Sequence, residues 1–111
     1  MAFIKQSEIG RESIGKNRQR YLGYTSELMM VVIDFDDGPT EKPDPPHSHP
    51  HEQVSYVVTG DLIVHIGEQK EQLGPGDMFT VPPNIPHTVQ LLSSHVRLVD
   101  TFTPLREDFL G

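Results

Sequence analysis

The sequence contains no cysteine, so neither disulfide bonds nor thiolate metal ligands contribute to its stability or chemistry. It also lacks any apolar run near the roughly 20 residues of a membrane-spanning helix, and its first residues lack the apolar centre of a signal peptide. These absences predict a soluble, cytoplasmic protein with no membrane partner. Positive charge is scarce too: 9 Lys and Arg against 16 Asp and Glu give a net charge of −7, which argues against nucleic acid as a partner.

The chain length and turn pattern predict the fold class. A chain of 111 residues accommodates one domain with a modest core, so we expect a single domain over residues 1–111. Short apolar segments alternate with turns rich in Gly and Pro, no long helix is predicted, and this pattern favours an all-β barrel. The predicted strands are residues 2–6, 18–24, 28–35, 54–59, 61–66, 69–73, 78–81, 87–92 and 96–103. Residues 7–17 are predicted as loop, and Thr59-Gly60 as a tight hairpin turn.

Histidine is concentrated in residues 47–53, which run His-Ser-His-Pro-His-Glu-Gln. Imidazole is the commonest metal ligand in proteins. On a strand, residues two apart point to the same face, so His47 and His49 can aim at one ion and Gln53 shares their parity. Pro50 would bend the strand, which leaves open whether His51 faces the metal or the solvent. The alternative is a polar, proline-rich surface loop with incidental histidines.

A second stretch, residues 74–87, combines a Pro-Gly-Asp turn, a short apolar strand and a Pro-Pro-Asn turn that leads to His87. Together the two stretches resemble the paired motifs of the cupin superfamily. The resemblance implies a double-stranded β-helix, or jelly-roll, barrel whose metal ligands are His47, His49, Gln53 and His87. This chain departs from the common motif at Gln53, where most of the superfamily has Glu.

The implied ligand set has chemical consequences. Three neutral imidazoles and one amide leave the charge of a divalent ion uncompensated, which makes it a stronger Lewis acid than a carboxylate ligand would allow. These donors suit Ni, Fe, Mn, Co or Zn equally. The carboxylate of the usual iron oxygenase triad is missing, which weakens an oxygenase interpretation. Gln53 could instead be an ordinary polar residue in a cupin that has lost its metal.

A narrower resemblance lies at the C-terminus. Residues 98–110, together with Leu28-Met29-Met30 and Gln53, are similar to the pectin degradation protein family, which includes the uronate-ketonising cupins. The resemblance implies a small acidic sugar substrate, a 4,5-unsaturated monouronate, with Asp100, Phe102 and Arg106 beside the metal. Without the resemblance, Arg106 would be assigned to a solvated tail or a surface ion pair. Tyr56 either lines the pocket or packs elsewhere.

Two alternatives remain open at this point. One is a metal-dependent dioxygenase, which would need iron and oxygen. The other is a non-catalytic cupin that binds a sugar or another small molecule. In each case a homodimer is expected, because a small barrel exposes sheet faces and edges and cupin relatives are commonly dimers.

Overall fold

The computed structural model describes residues 1–110, which form nine β-strands and one short 3-10 helix. The predicted all-β class is therefore confirmed. The strands are β1 Glu12–Gly15, β2 Arg18–Tyr24, β3 Met29–Phe35, β4 Glu52–Thr59, β5 Leu62–Ile66, β6 Gln69–Leu73, β7 Met78–Val81, β8 His87–Leu91 and β9 Val96–Thr103, and the 3-10 helix is Glu107–Phe109. None of the described helical residues forms a helix long and apolar enough to cross a membrane.

The strands form two antiparallel sheets. The larger sheet has the order β1-β2-β3-β9-β4-β7, and the smaller has the order β6-β5-β8. Most core residues, among them Val57, Leu62, Leu91 and Leu98, pack into one cluster contributed by both sheets. Met29, Val31 and Phe102 form a second cluster, against which Leu105 and Phe109 of the C-terminal segment pack. The two sheets thus enclose one interior, and the C-terminal segment contributes to one end of it.

Strict alternation in β4 and β9 places polar groups inside this interior. In β4, Gln53, Ser55 and Val57 are buried while the residues between them are exposed. In β9, every second residue from Val96 to Phe102 is buried, including Asp100. Because Ser55 lies opposite Asp100 in the register of the two strands, their side chains meet on the inward face.

The structure corrects three expectations about local structure. Residues 2–6 form no strand, whereas the predicted loop contains β1, which pairs with β2 through Glu12 and Arg20. β4 and β5 do not form a hairpin; at Gly60 the chain crosses from the larger sheet to the smaller one. Gly60 has a φ of 85°, and a Cβ there would lie 2.3 Å from the His95 carbonyl oxygen, so the crossing requires glycine.

His47 and His49 also precede β4 rather than lying on a regular strand. His47 instead forms an isolated antiparallel bridge with His87, in which each backbone N–H donates to the other's carbonyl, at 3.1 and 2.9 Å. The convergence of these histidines therefore depends on a contact with β8 of the other sheet, and strand parity does not explain it.

Candidate metal centre and adjoining cavity

Three histidines converge at one end of the interior. His47, His49 and His87 each offer a ring nitrogen, and the three nitrogen atoms lie within 4.8 Å of one another. Burial lowers the pKa of all three rings, and that of His47 falls to about 4 although part of its side chain remains exposed. The neighbouring imidazoles and the Arg106 charge lower the pKa of His47 further. At neutral pH the rings are uncharged, which is the state that binds metal.

Hydrogen bonds fix the tautomers of the two buried histidines. His87 Nδ1–H donates to the Ile85 carbonyl at 2.9 Å, and its Nε2 is buried without a hydrogen-bond partner. His49 Nδ1–H donates to the His51 carbonyl at 2.9 Å, so its Nε2 carries a lone pair. Backbone carbonyls thus orient both rings so that their Nε2 lone pairs are available to a metal ion.

The side-chain amide of Gln53 is oriented by a buried chain of hydrogen bonds. Ser55 Oγ donates its single proton to Asp100 Oδ1 at 2.5 Å and accepts from Gln53 Nε2 at 2.9 Å. This leaves Gln53 Oε1 facing His49 Nε2 at 3.1 Å. Two acceptor atoms therefore face each other in a buried site, and a cation between them would satisfy both.

These observations fit a metal ion. The three histidines form a potential transition-metal site. Gln53 Oε1 lies 3.1 Å from His49 Nε2, and its assignment as a fourth ligand stays a prediction. An amide also suits this position better than the carboxylate of most cupins, because only an amide can present an oxygen to the metal while donating a hydrogen bond to Ser55. The glutamine at position 53 is thus matched by its hydrogen-bond acceptor Ser55, which in turn donates to Asp100.

Asp100 is buried beside these residues, with 7% of its surface exposed. Burial raises the pKa of its carboxyl to about 6, while the hydrogen bond from Ser55, the nearby Arg106 charge and hydrogen bonding from Gln53 act in the opposite direction. Ser55 donates to Oδ1. A buried carboxyl with a pKa near neutrality is suited to proton transfer.

A cavity of about 300 Å³ adjoins the histidines. Its volume is at the lower end of the range for small-molecule sites and suits a monosaccharide-sized ligand. The predicted site residues that line it are His47, Gln53, His87, Asp100, Phe102 and Arg106. The structure thus brings together side chains from β4, β8, β9 and the C-terminal segment, which the sequence could associate only by resemblance.

The lining also contains residues that were not anticipated, among them Arg18, Arg20 and Phe109. Arg18 and Arg20 lie two residues apart on β2 and so share its inward face. This spacing could have identified them from the sequence as cavity residues. Arg18 pairs with both Asp37 and Asp44, at 2.9 and 2.6 Å. Despite the net charge of −7, the cavity is lined by three guanidinium groups once Arg106 is included, against the two carboxyl groups of Asp44 and Asp100. The excess of cationic groups favours an anionic ligand.

Arg106 lies over the rings of Phe102 and Phe109, with its Cζ 5.2 and 4.1 Å from their centroids. Its Nε and Nη2 are engaged by Asp108 at 3.1 and 2.8 Å. The two expectations for Arg106 therefore coexist, because it lines the cavity and also forms an ion pair in the tail. Its Nη1 has no hydrogen-bond partner among the described residues.

Two residues whose orientation the sequence left open lie outside the cavity lining. The His51 ring donates from Nε2 to the Leu105 carbonyl at 3.0 Å, so it links the histidine segment to the C-terminal tail instead of joining the three converging rings. Tyr56 is 43% exposed on the outer face of the larger sheet. Its neighbour Ser55, on the opposite face of β4, is the residue that contributes to the site.

Comparisons with known proteins agree with this architecture. The Cupin domain family profile matches residues 34–102. The pectin degradation protein KdgF of Dickeya dadantii is 35% identical over 110 residues, covering 97% of both chains. The crystal structure of an RmlC-like cupin from Shewanella frigidimarina is 38% identical with a TM-score of 0.88, covering 98% of this chain and 96% of that one. KdgF from Halomonas sp. is 32% identical with a TM-score of 0.88, covering 97% and 99%. These similarities confirm the predicted jelly-roll barrel.

Proposed function

This chain belongs to the cupin family, and on that premise we propose that it is a metal-dependent enzyme that promotes ring opening and ketonisation of 4,5-unsaturated monouronates from pectin or alginate breakdown. The similarity to a pectin degradation protein over 97% of both chains supports the substrate class. The observation that carries the proposal is that Asp100 and Arg106 line the same cavity as His47 and His87, two of the three converging histidines. The cavity then combines Asp100 to transfer protons, Arg106 to bind the substrate carboxylate, and histidines to hold a metal ion.

The chemistry requires proton movement and no redox step. The anomeric hydroxyl gives up its proton and its carbon becomes an aldehyde as the bond between that carbon and the ring oxygen breaks. The ring oxygen takes up a proton and becomes an enol oxygen. Loss of the enol proton and addition of a proton to the adjacent alkene carbon then give the ketone. Asp100 lines the cavity, so it is positioned to move these protons as a general acid or base. Ser55 holds its Oδ1 and limits rotation of the carboxylate.

The other cavity residues bind and orient the sugar. Arg106 provides Nη1 for the substrate carboxylate, and Phe102, only 3% exposed, supplies an apolar surface that restricts water. A divalent metal held by His47, His49, Gln53 and His87 would supply Lewis-acidic stabilisation of negative charge on a substrate oxygen.

A coupled assay tests this function. Purified protein is mixed with unsaturated monouronate made freshly by a lyase, and the loss of ultraviolet absorbance is followed with and without a chelator. We expect the protein to accelerate the decay, the chelator to abolish the acceleration, and Arg106→Ala to retain metal while losing activity. No acceleration by metal-loaded protein would overturn the proposed function, and oxygen consumption with a substrate would favour a dioxygenase instead.

A further inference from the structure

Arg20 also lines the cavity, and the proposed chemistry assigns it no role. It extends from the inward face of β2, its side chain is only 13% exposed, and it lines the cavity. Its Nε and Nη2 donate to the two carboxylate oxygens of Glu12 at 2.9 and 3.1 Å. Its Nη1 has no hydrogen-bond partner among the described residues, which leaves this donor for a ligand.

Arg20 and Arg106 have the same arrangement around Phe109. The Cζ of Arg20 lies 3.8 Å from the centroid of the Phe109 ring, and that of Arg106 lies 4.1 Å from it. Both guanidinium groups therefore pack against the same aromatic ring. In each, an acidic residue engages Nε and Nη2, and Nη1 is left over.

The donors left on Arg106 are those that Asp108 does not engage. A guanidinium usually holds a carboxylate through two parallel hydrogen bonds, and in Arg106 the Nε and Nη2 edge already binds Asp108. The two N–H groups of Nη1 and the second N–H of Nη2 remain for a ligand, and a neighbouring arginine can add further donors. Arg18 is a poor source because Asp37 and Asp44 both pair with it. Arg20 has a single acidic partner and an available Nη1.

We propose that Arg20 is a substrate-binding residue that, together with Arg106, holds the carboxylate of the sugar beside the edge of Phe109. This inference rests on the proposed function for the class of ligand, an acidic monosaccharide. The two Cζ atoms can be no more than about 8 Å apart, the sum of their distances to the ring centroid. A carboxylate flanked by two N–H···O contacts of about 2.8 Å spans a separation of this size. Each arginine then contributes one donor.

The competing explanation is that Arg20 only supports Glu12 and Phe109. Two variants separate these roles, because both remove the ion pair between Arg20 and Glu12 but only one of them removes the guanidinium group. Arg20→Gln removes the guanidinium, whereas Glu12→Gln keeps it and releases the edge that Glu12 engages. A purely structural role predicts similar effects in the two variants. A carboxylate-binding role predicts opposite effects.

The measurement is a chemical-shift titration of metal-loaded protein with galacturonate and, separately, with galactose. We expect Arg20→Gln to weaken galacturonate binding about tenfold to a hundredfold with no change for galactose, since a hydrogen bond to a charged group is lost. Glu12→Gln should bind galacturonate at least as tightly as the wild type, and Arg20→Lys should restore part of the preference.

Equal weakening of galacturonate binding in Arg20→Gln and Glu12→Gln would overturn the inference, as would a wild type that binds the two sugars equally. The titration needs no turnover, so it is independent of the assay for ketonisation. Selective loss of galacturonate binding in Arg20→Gln would support the role of Arg20 even if ketonisation were absent.

Discussion

The buried Ser55 hydroxyl is the centre of the hydrogen-bond chain that orients both Gln53 and Asp100, and its removal gives a sharp prediction. Ser55 is 1% exposed, donates to Asp100 at 2.5 Å and accepts from Gln53 at 2.9 Å. Ser55→Ala removes one hydrogen bond to a charged group, about 1.5–3 kcal/mol, and one between neutral groups, about 0.5–1.5 kcal/mol. We expect the free energy of unfolding to fall by about 3 kcal/mol at pH 8.

This loss should depend on pH in a defined direction. The Ser55 hydrogen bond lowers the pKa of the Asp100 carboxyl, which burial has raised to about 6. The charge-assisted part of the stabilisation is therefore present above pH 6 and is lost as the pH falls and Asp100 takes up a proton. The cost of Ser55→Ala should drop by about 1 kcal/mol or more between pH 8 and pH 5. A simple packing defect would cost the same at both values.

Urea unfolding of chelator-treated protein measures these quantities without a contribution from bound metal. With a slope of about 1–3 kcal/mol per molar urea, the midpoint at pH 8 should fall by about 1–3 M. Ser13→Ala, which removes an exposed hydroxyl that donates only to the Gly15 carbonyl, is the matched control and should change stability by less than about 0.5 kcal/mol. A Ser55→Ala protein as stable as the control, or a cost independent of pH, would refute the reasoning.

Three further predictions concern the metal, an ion-pair cluster and the outer sheet face. His49→Ala should lose bound metal in elemental analysis while the control His65→Ala, on β5 and outside the three converging histidines, keeps it; stoichiometric metal in His49→Ala would contradict the ligand assignment. Asp34→Asn should cost about 1 kcal/mol at pH 7, because Arg97 and Arg11 contact this carboxylate at 2.7 and 3.1 Å. Those contacts lower the pKa of Asp34. The cost in urea unfolding should therefore begin to fall as the pH drops below the unfolded value of about 4 and continue to fall toward the lowered pKa of the folded state, and a constant cost down to pH 2 would exclude this origin. The homodimer stays a prediction. Tyr56→Glu, on the exposed apolar face of the larger sheet, should yield monomers in analytical ultracentrifugation. If the wild type is a dimer and the variant has the same mass, the interface does not include this face.

The spacing of motif residues allowed much of the candidate site to be predicted. The density of histidine in residues 47–53 marks this stretch as a candidate metal site. The turn residues between positions 74 and 87 place His87 at the start of a strand. Most strands were predicted within two residues, because alternation with a period of two and Gly or Pro at the ends are local signals. β1 was not predicted because its polar sequence carries no strand pattern. It is a strand because it pairs with β2.

Only the tertiary structure decided how these residues act together. Whether His51 joins the other rings depends on the Leu105 carbonyl, which lies 54 positions away in the chain, and the orientation of Gln53 depends on Asp100 in β9. The guanidinium groups of Arg20 and Arg106 both contact the Phe109 ring because β2 and the C-terminal segment line the same cavity. The sequence by itself determined which donors and turns are available, since these are properties of single residues and short spacings. The partners of each donor arise from contacts between distant strands, which only the assembled sheets bring within hydrogen-bonding distance.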